Sequence, residues 1–242
     1  MAMLSLVLTS LIVQPDAVYE AVGTAGVMRL VFASCKDGAA SAHSYAGNNF
    51  SFDWSLVGSP DAFIWAGDAI YADQQPVRHR LPVPLRLLLP DVPWTTGGWR
   101  GAEHEDQRAM YEALRAEPGY DTLRASSTPV LGTWDDHDFG IDDGDRTFPR
   151  REDSKVQFLD FLDAPADDAR RLREGVGVWG STLLGEGDRS ILVIALDLRY
   201  HRDSYGVEGG DILGEEQWIW CALSPPLPYK PWLPALPRVN PG

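Results

Sequence analysis

Apolar residues in this chain gather into short unbroken runs, and each run stops abruptly at a group of reactive side chains. Arg29 to Ala33 (RLVFA) runs into Ser34 and Cys35, and Ala62 to Ala66 (AFIWA) runs into Gly67 and Asp68. Pro129 to Trp134 (PVLGTW) runs into Asp135, Asp136, His137 and Asp138, and Ser190 to Leu196 (SILVIAL) into Asp197, Leu198 and Arg199. Runs of this length without polar alternation predict β-strands covered on both faces. Between them the spacing predicts helices. Glu105 to Ala116 carries Met110 and Leu114 at helical spacing before Pro118 and Gly119 stop it, and Asp153 to Leu162 carries Val156, Leu159 and Leu162 on one face before Pro165. Gly214 to Leu223 is a third, with Glu215 and Glu216 suited to the positive end of the helix dipole. Strands separated by helices predict an α/β layer architecture, whose ligands sit beyond the carboxyl ends of the strands, where the reactive groups fall here.

Three segments depart from this texture. Met3 to Val13 (MLSLVLTSLIV) is too short to span a bilayer and has the length of a signal-peptide apolar region, but no basic residues precede it and no clean cleavage site follows. A secretory or endomembrane signal and a buried N-terminal strand both fit it, with a lean toward the former. Pro76 to Gly101 is a Pro- and Leu-rich excursion, expected to be a surface loop near enough to Asp68 to act as a lid. From Ser224 to Gly242 there are seven prolines in nineteen residues and no periodicity, which predicts extended, unpacked chain. The expected organisation is a segment over 1–28, one α/β domain over 29–223 and a Pro-rich tail over 224–242.

Composition narrows the function. At 44% hydrophobic and 23% charged over 242 residues the chain has the material for a globular core. Its 21 Lys plus Arg against 35 Asp plus Glu give a net charge of −14, so no nucleic-acid-binding module and no electrostatic grip on anionic lipid is expected. An anionic ligand such as a phosphate ester then needs local cations, which bound metal ions supply. Cys35 and Cys221 belong to no paired pattern, so neither a disulfide framework nor a zinc module is readable.

The strand ends supply candidates. Gly67-Asp68 with Tyr71 and Asp73 puts a carboxylate and a phenol three positions apart on a sharp turn, an arrangement that holds a hard metal or is simply a turn. Asp135, Asp136 and Asp138 crowd around His137, with Asp142, Asp143 and Asp145 following. A cation would relieve that repulsion, and a solvated acidic loop is the alternative. His137 is then a ligand, a proton donor to a leaving alkoxide, or neither. Cys35 is either a buried small hydrophobe or a thiolate completing a metal shell. Arg199 offers a fork for phosphate oxygens, or pairs with Asp197 or an acidic loop. No nucleophile elbow, Walker loop, dinucleotide fingerprint or zincin helix is present, which leaves metal-assisted hydrolysis.

Five blocks in order, SCK at Cys35, FIWAGDAIYAD from Phe63 to Asp73, GTWDDHDFGIDDG from Gly132 to Gly144, LDLRYHRD from Leu196 to Asp203 and ILGEEQWIW from Ile212 to Trp220, together resemble the PhoD-like alkaline phosphatases. The resemblance covers Arg29 to Leu223 and implies a calcineurin-like metallophosphatase fold, a layered β-sandwich flanked by helices. It further implies iron(III) and calcium as cofactors and a small phosphate ester as substrate. Cys35, Asp68 and Tyr71 would hold the iron, Asp68 would bridge to a second ion shared with Asp136, His137 would protonate the leaving group, and Arg199 would contact phosphate. The implied reaction is in-line attack on phosphorus by a metal-bound hydroxide. Ala69 and Asp142 stand where the family usually has Asn. No Ser-Gly-Asp-x-His block with the remaining metal ligands follows Ser224. The expectation from this is a chain with weak or no phosphatase activity, the alternative to an active hydrolase being a noncatalytic fragment that at most binds metal.

Overall fold

The four apolar runs do form strands, because side chains apolar on both sides of the backbone are satisfied only inside a covered sheet. The computed structural model describes residues 6–8, 29–36, 54, 57–73, 101–185 and 190–223. Of the sequence expectations, the Pro76 to Gly101 excursion up to residue 100, the tail from Ser224 and residues 1–28 other than 6–8 lie outside the described residues. In chain order the elements are β1 (Leu6–Leu8), β2 (Leu30–Ala33), β3 (Ala62–Ala66), α1 (His104–Arg115), α2 (Pro118–Ala125), β4 (Val130–Thr133), α3 (Asp136–Phe139), α4 (Arg151–Phe161), α5 (Ala169–Leu172), β5 (Gly180–Leu184), β6 (Ile191–Ala195) and α6 (Glu215–Leu223).

The fold is mixed α/β with two three-stranded sheets, ordered β2-β3-β4 and β1-β6-β5. In the first, β2 pairs with β3 and β3 with β4, both parallel, so three carboxyl ends fall on one edge. In the second, β1 runs parallel to β6 with Leu6 opposite Val193, and β5 runs antiparallel to it. Of the two readings open for Met3 to Val13, a strand is therefore what residues 6–8 form. The second sheet meets the first at its carboxyl edge, where the Thr133 hydroxyl donates to the Leu196 carbonyl over 2.7 Å. No helix among the described residues is long and apolar enough to cross a membrane.

Two sequence expectations need correction. Pro118 does end α1, but it also opens α2 at the first helical position, where a missing N–H costs nothing and a fixed φ is already helical. In α4, Val156 is exposed, while Phe158, Leu159 and Phe161 are buried together with Ser154, Lys155 and Gln157. The helix is covered by polar partners as well as apolar ones, so apolar spacing alone misplaced its inner face: Ser154 bonds Gln107, and the Lys155 ammonium donates to the Arg173 carbonyl.

Rings dominate the core. Trp65 on β3 is fully buried between Trp54, Phe63, Tyr120 and Phe161, with its indole N–H donating to the Tyr120 hydroxyl at 3.1 Å. Tyr111 of α1 stacks on Phe161 of α4 at 4.5 Å between ring centres. Because Trp65 joins β3 to rings of α2 and α4, Trp65→Ala is expected to destabilise the protein by about 3–5 kcal/mol, the range for emptying a large aromatic site. Urea unfolding would measure this, and a loss below about 1 kcal/mol would show that the layers do not depend on it.

Candidate metal centre

The carboxyl edge of the parallel sheet is built with strained backbone. Directly after β2, Cys35 has φ +53°, and after β3, Gly67 has φ +106° and Asp68 has φ +52°. The left-handed region costs an ordinary residue about 1–2 kcal/mol, so two non-glycine residues there at adjacent strand ends call for an explanation. The two turns are laced together: the Cys35 N–H donates to the Gly67 carbonyl at 3.3 Å, and the Lys36 N–H to the Asp68 carbonyl at 2.9 Å. Only glycine fits at 67, since a Cβ there would lie 2.7 Å from the Cβ of Asp135 on the loop after β4.

Asp138 fastens that loop to the turn after β3. Its fully buried carboxylate accepts from the N–H groups of Ala69 and Ile70 and from the Tyr111 hydroxyl, each at 3.2 Å, and from the Asp135 N–H at 3.3 Å. Burial pushes its pKa up to about 7 against the pull of these donors.

This fastening brings Asp68, Asp136 and His137 together, with one candidate ligand atom from each within 4.8 Å of the others. Asp68 stands in the middle. Its Oδ2 accepts from the Tyr71 hydroxyl at 3.3 Å and lies 3.8 Å from the Cys35 sulfur, while its Oδ1 is buried with no hydrogen-bond partner. Burial, then the Asp136 charge, hold its pKa well above the usual carboxylate value. Burial also works to raise Asp136, but Arg199, His137 and the Asp143 and His137 N–H groups outweigh it and hold that carboxyl below its ordinary value. Burial pushes the Cys35 thiol up to about 11 and the Tyr71 phenol up as well.

His137 is oriented by Asp73, whose Oδ1 lies 2.8 Å from Nδ1, while Nε2 lies 3.9 Å from Asp142. Burial opposes its charge, yet the Asp73 hydrogen bond and the surrounding carboxylates raise it to about 9. Arg199 comes from the other sheet. Asp197 does not pair with its guanidinium; Asp197 instead accepts the N–H groups of Arg199 and Tyr200 and so shapes the turn that presents it. The Arg199 Nε bonds Asp135 at 2.5 Å, Nη2 lies 3.5 Å from Asp136, and Nη1 is buried without a hydrogen-bond partner.

In the sequence Asp135 and Asp138 stood only as members of an acidic cluster that a cation would relieve, and Asp73 only as a neighbour of Tyr71, without the partners they have in the fold. Asp73 was visible in the motif, but its partner lies 64 residues away, as does Arg199 from Asp135. The one available signal was Asp138, three residues after Asp135 at the start of a helix, the spacing of a reciprocal cap. A cavity of about 410 Å³ elsewhere, between Leu131, Trp179, Val193 and Trp220, touches none of these residues. The arginines at its edge are already engaged, Arg170 with Asp168 and Arg173 with the Trp179 carbonyl.

The donor set fits a metal on two grounds. Mutually repelling carboxylates are buried together, and a carboxyl oxygen in the middle of them, Asp68 Oδ1, has no hydrogen-bond partner. The chain matches no protein-family model, no curated protein and no solved structure.

Proposed function

We propose that this chain is a metal-dependent phosphoric ester hydrolase of the PhoD type, its two sheets forming the layers of a metallophosphatase-like sandwich. The observation that carries the reading is Asp68, whose partnerless Oδ1 sits among Cys35, Tyr71, Asp136 and His137. Thiolate, phenolate and carboxylate from Cys35, Tyr71 and Asp68 suit an iron(III) ion, and oxygens of Asp68 and Asp136 suit a calcium ion beside it. Bound there, such ions would neutralise phosphoryl oxygens and supply a nucleophile from water near neutral pH.

The remaining work falls to the chain's own groups. Arg199, clamped by Asp135 and with Nη1 uncommitted, is placed to donate to a phosphoryl oxygen. His137 carries a proton on Nε2 while Asp73 fixes Nδ1, and gives that proton to the departing alkoxide. In the metal-free protein burial opposes the charge, but the Asp73 hydrogen bond leads the effects that raise the ring's pKa to about 9, and that bond supports the acid form this role needs.

One observation favours metal binding without turnover: among the described residues, the ligand group is of three residues only, enough for one well-held ion. Slow turnover is therefore the expected result. The test is release of p-nitrophenol from p-nitrophenyl phosphate and from its bis ester with iron and calcium supplied, compared with Asp68→Ala. Turnover lost in the variant supports the hydrolase, and metal uptake with identical rates in both proteins selects the noncatalytic reading.

A further inference from the structure

Tyr205 is 55% exposed although it lies at the rim of the metal cluster. Its hydroxyl donates to Asp143 Oδ1 at 2.9 Å, and the Asp143 N–H donates to Asp136 Oδ2 at 2.8 Å, so two hydrogen bonds connect the ring to a candidate ligand. One face of the ring is covered by the Arg202 guanidinium, 4.1 Å from its centre. The segment that presents it is closed on itself, with the Asp203 N–H donating to the Asp211 carbonyl at 2.7 Å and the Asp211 N–H to Asp203 Oδ2 at 2.9 Å. It is also tied to the acidic loop, through Arg146 on Asp203 at 2.8 Å and the Arg146 N–H on the Arg202 carbonyl at 3.0 Å. An exposed tyrosine held this firmly has already lost its side-chain entropy, which makes it a platform rather than a mobile surface residue.

We propose that Tyr205 receives the alcohol portion of the substrate, and that this portion is a flat aromatic group, as in an aryl or nucleoside phosphate ester. This rests on the phosphoric ester hydrolase reading given above. A phosphoryl group held between the cluster and Arg199 would leave the ester's alcohol to exit toward the rim, where the exposed part of the Tyr205 ring stands. A cation on one face of a tyrosine and an aromatic ring on the other is a favourable sandwich, because the guanidinium draws on the electron density that otherwise repels a stacked ring. The acidic surroundings, with Asp142, Asp143 and Asp203 along the same rim, disfavour an alcohol portion bearing further phosphates.

The experiment measures binding rather than turnover. Phenylphosphonate and methylphosphonate, which share the charged head and differ in the ring, are titrated calorimetrically into the iron- and calcium-supplied full chain and its Tyr205→Ala and Tyr205→Phe variants. The unaltered protein is expected to bind the phenyl compound on the order of tenfold more tightly, a preference of stacking size. Tyr205→Ala should erase that preference by weakening the phenyl compound alone, and Tyr205→Phe should keep most of it. An equal loss for both compounds in Tyr205→Ala, or an undiminished preference, would overturn the platform and leave the hydrolase reading intact. If neither compound binds any of the three proteins, the phosphoryl site itself is wrong and the platform goes with it.

Discussion

Asp68→Ala is expected to lower metal affinity by more than about a hundredfold, measured by equilibrium dialysis or calorimetry with iron or calcium. Replacing a residue that merely orients a ligand already costs about 10–100-fold, and Asp68 is the group on which the cluster converges. Truncation removes both the partnerless Oδ1 and the oxygen facing Tyr71 and Cys35. Asp68→Asn separates loss of the ligand from loss of the fold. It keeps the shape and removes a carboxyl whose ionised form burial and the Asp136 charge disfavour, and should therefore leave the metal-free form at least as stable at pH 8. Undiminished metal uptake by Asp68→Ala would end the case for a centre at this edge.

The second large effect is a stability that falls as pH rises, in the metal-free protein only. His137 is raised from 6.5 to about 9, so its contribution is complete below pH 6.5 and gone once pH passes about 9. Over that window the native state binds more protons than the unfolded chain, which makes the slope negative and the loss on the order of 3 kcal/mol. Asp138, raised to about 7, and Asp142, raised to about 6, act in the same sense at lower pH, as does Asp68. His201 works the other way below pH 6.5, because burial holds it under its ordinary value. A bound cation takes over the protons' role, so excess metal should flatten the profile. Urea unfolding at pH 5, 7 and 9, with chelator and with metal, measures both curves. Metal-free stability that is level or climbing between pH 6.5 and 9 would contradict the buried, proton-holding cluster.

What could be read in advance follows the physics of each element. Strands β2, β3 and β6 are apolar on both sides, so their runs were continuous and their ends sharp. Strand β5 (GSTLL) alternates half-buried and exposed positions at an edge of its sheet, and so has no run to see. Strand β4 was legible, yet its first half is only partly buried, so the expected cover on both faces holds just for Gly132 and Thr133. In the centre, Asp68, Asp136 and His137 stood out because chain polarity alone puts strand-end residues of a parallel sheet on one edge. An acidic loop was open as a partner for Arg199, and Asp135 is the residue of it that pairs; the contact of Asp73 with His137 depends on which loops fold over which, and local sequence carries no record of that.

The left-handed backbone at Cys35 and Asp68 sets two selective forces against each other. Glycine at either position would release strain worth about 1 kcal/mol or more and would also delete a donor. A lineage that no longer used the centre would thus gain stability by drifting to glycine at both places, while a lineage that used it would be held at residues the backbone disfavours. On the metal-centre reading proposed above, positions 35 and 68 of any relative would therefore be a two-letter record of whether its ancestors needed an ion.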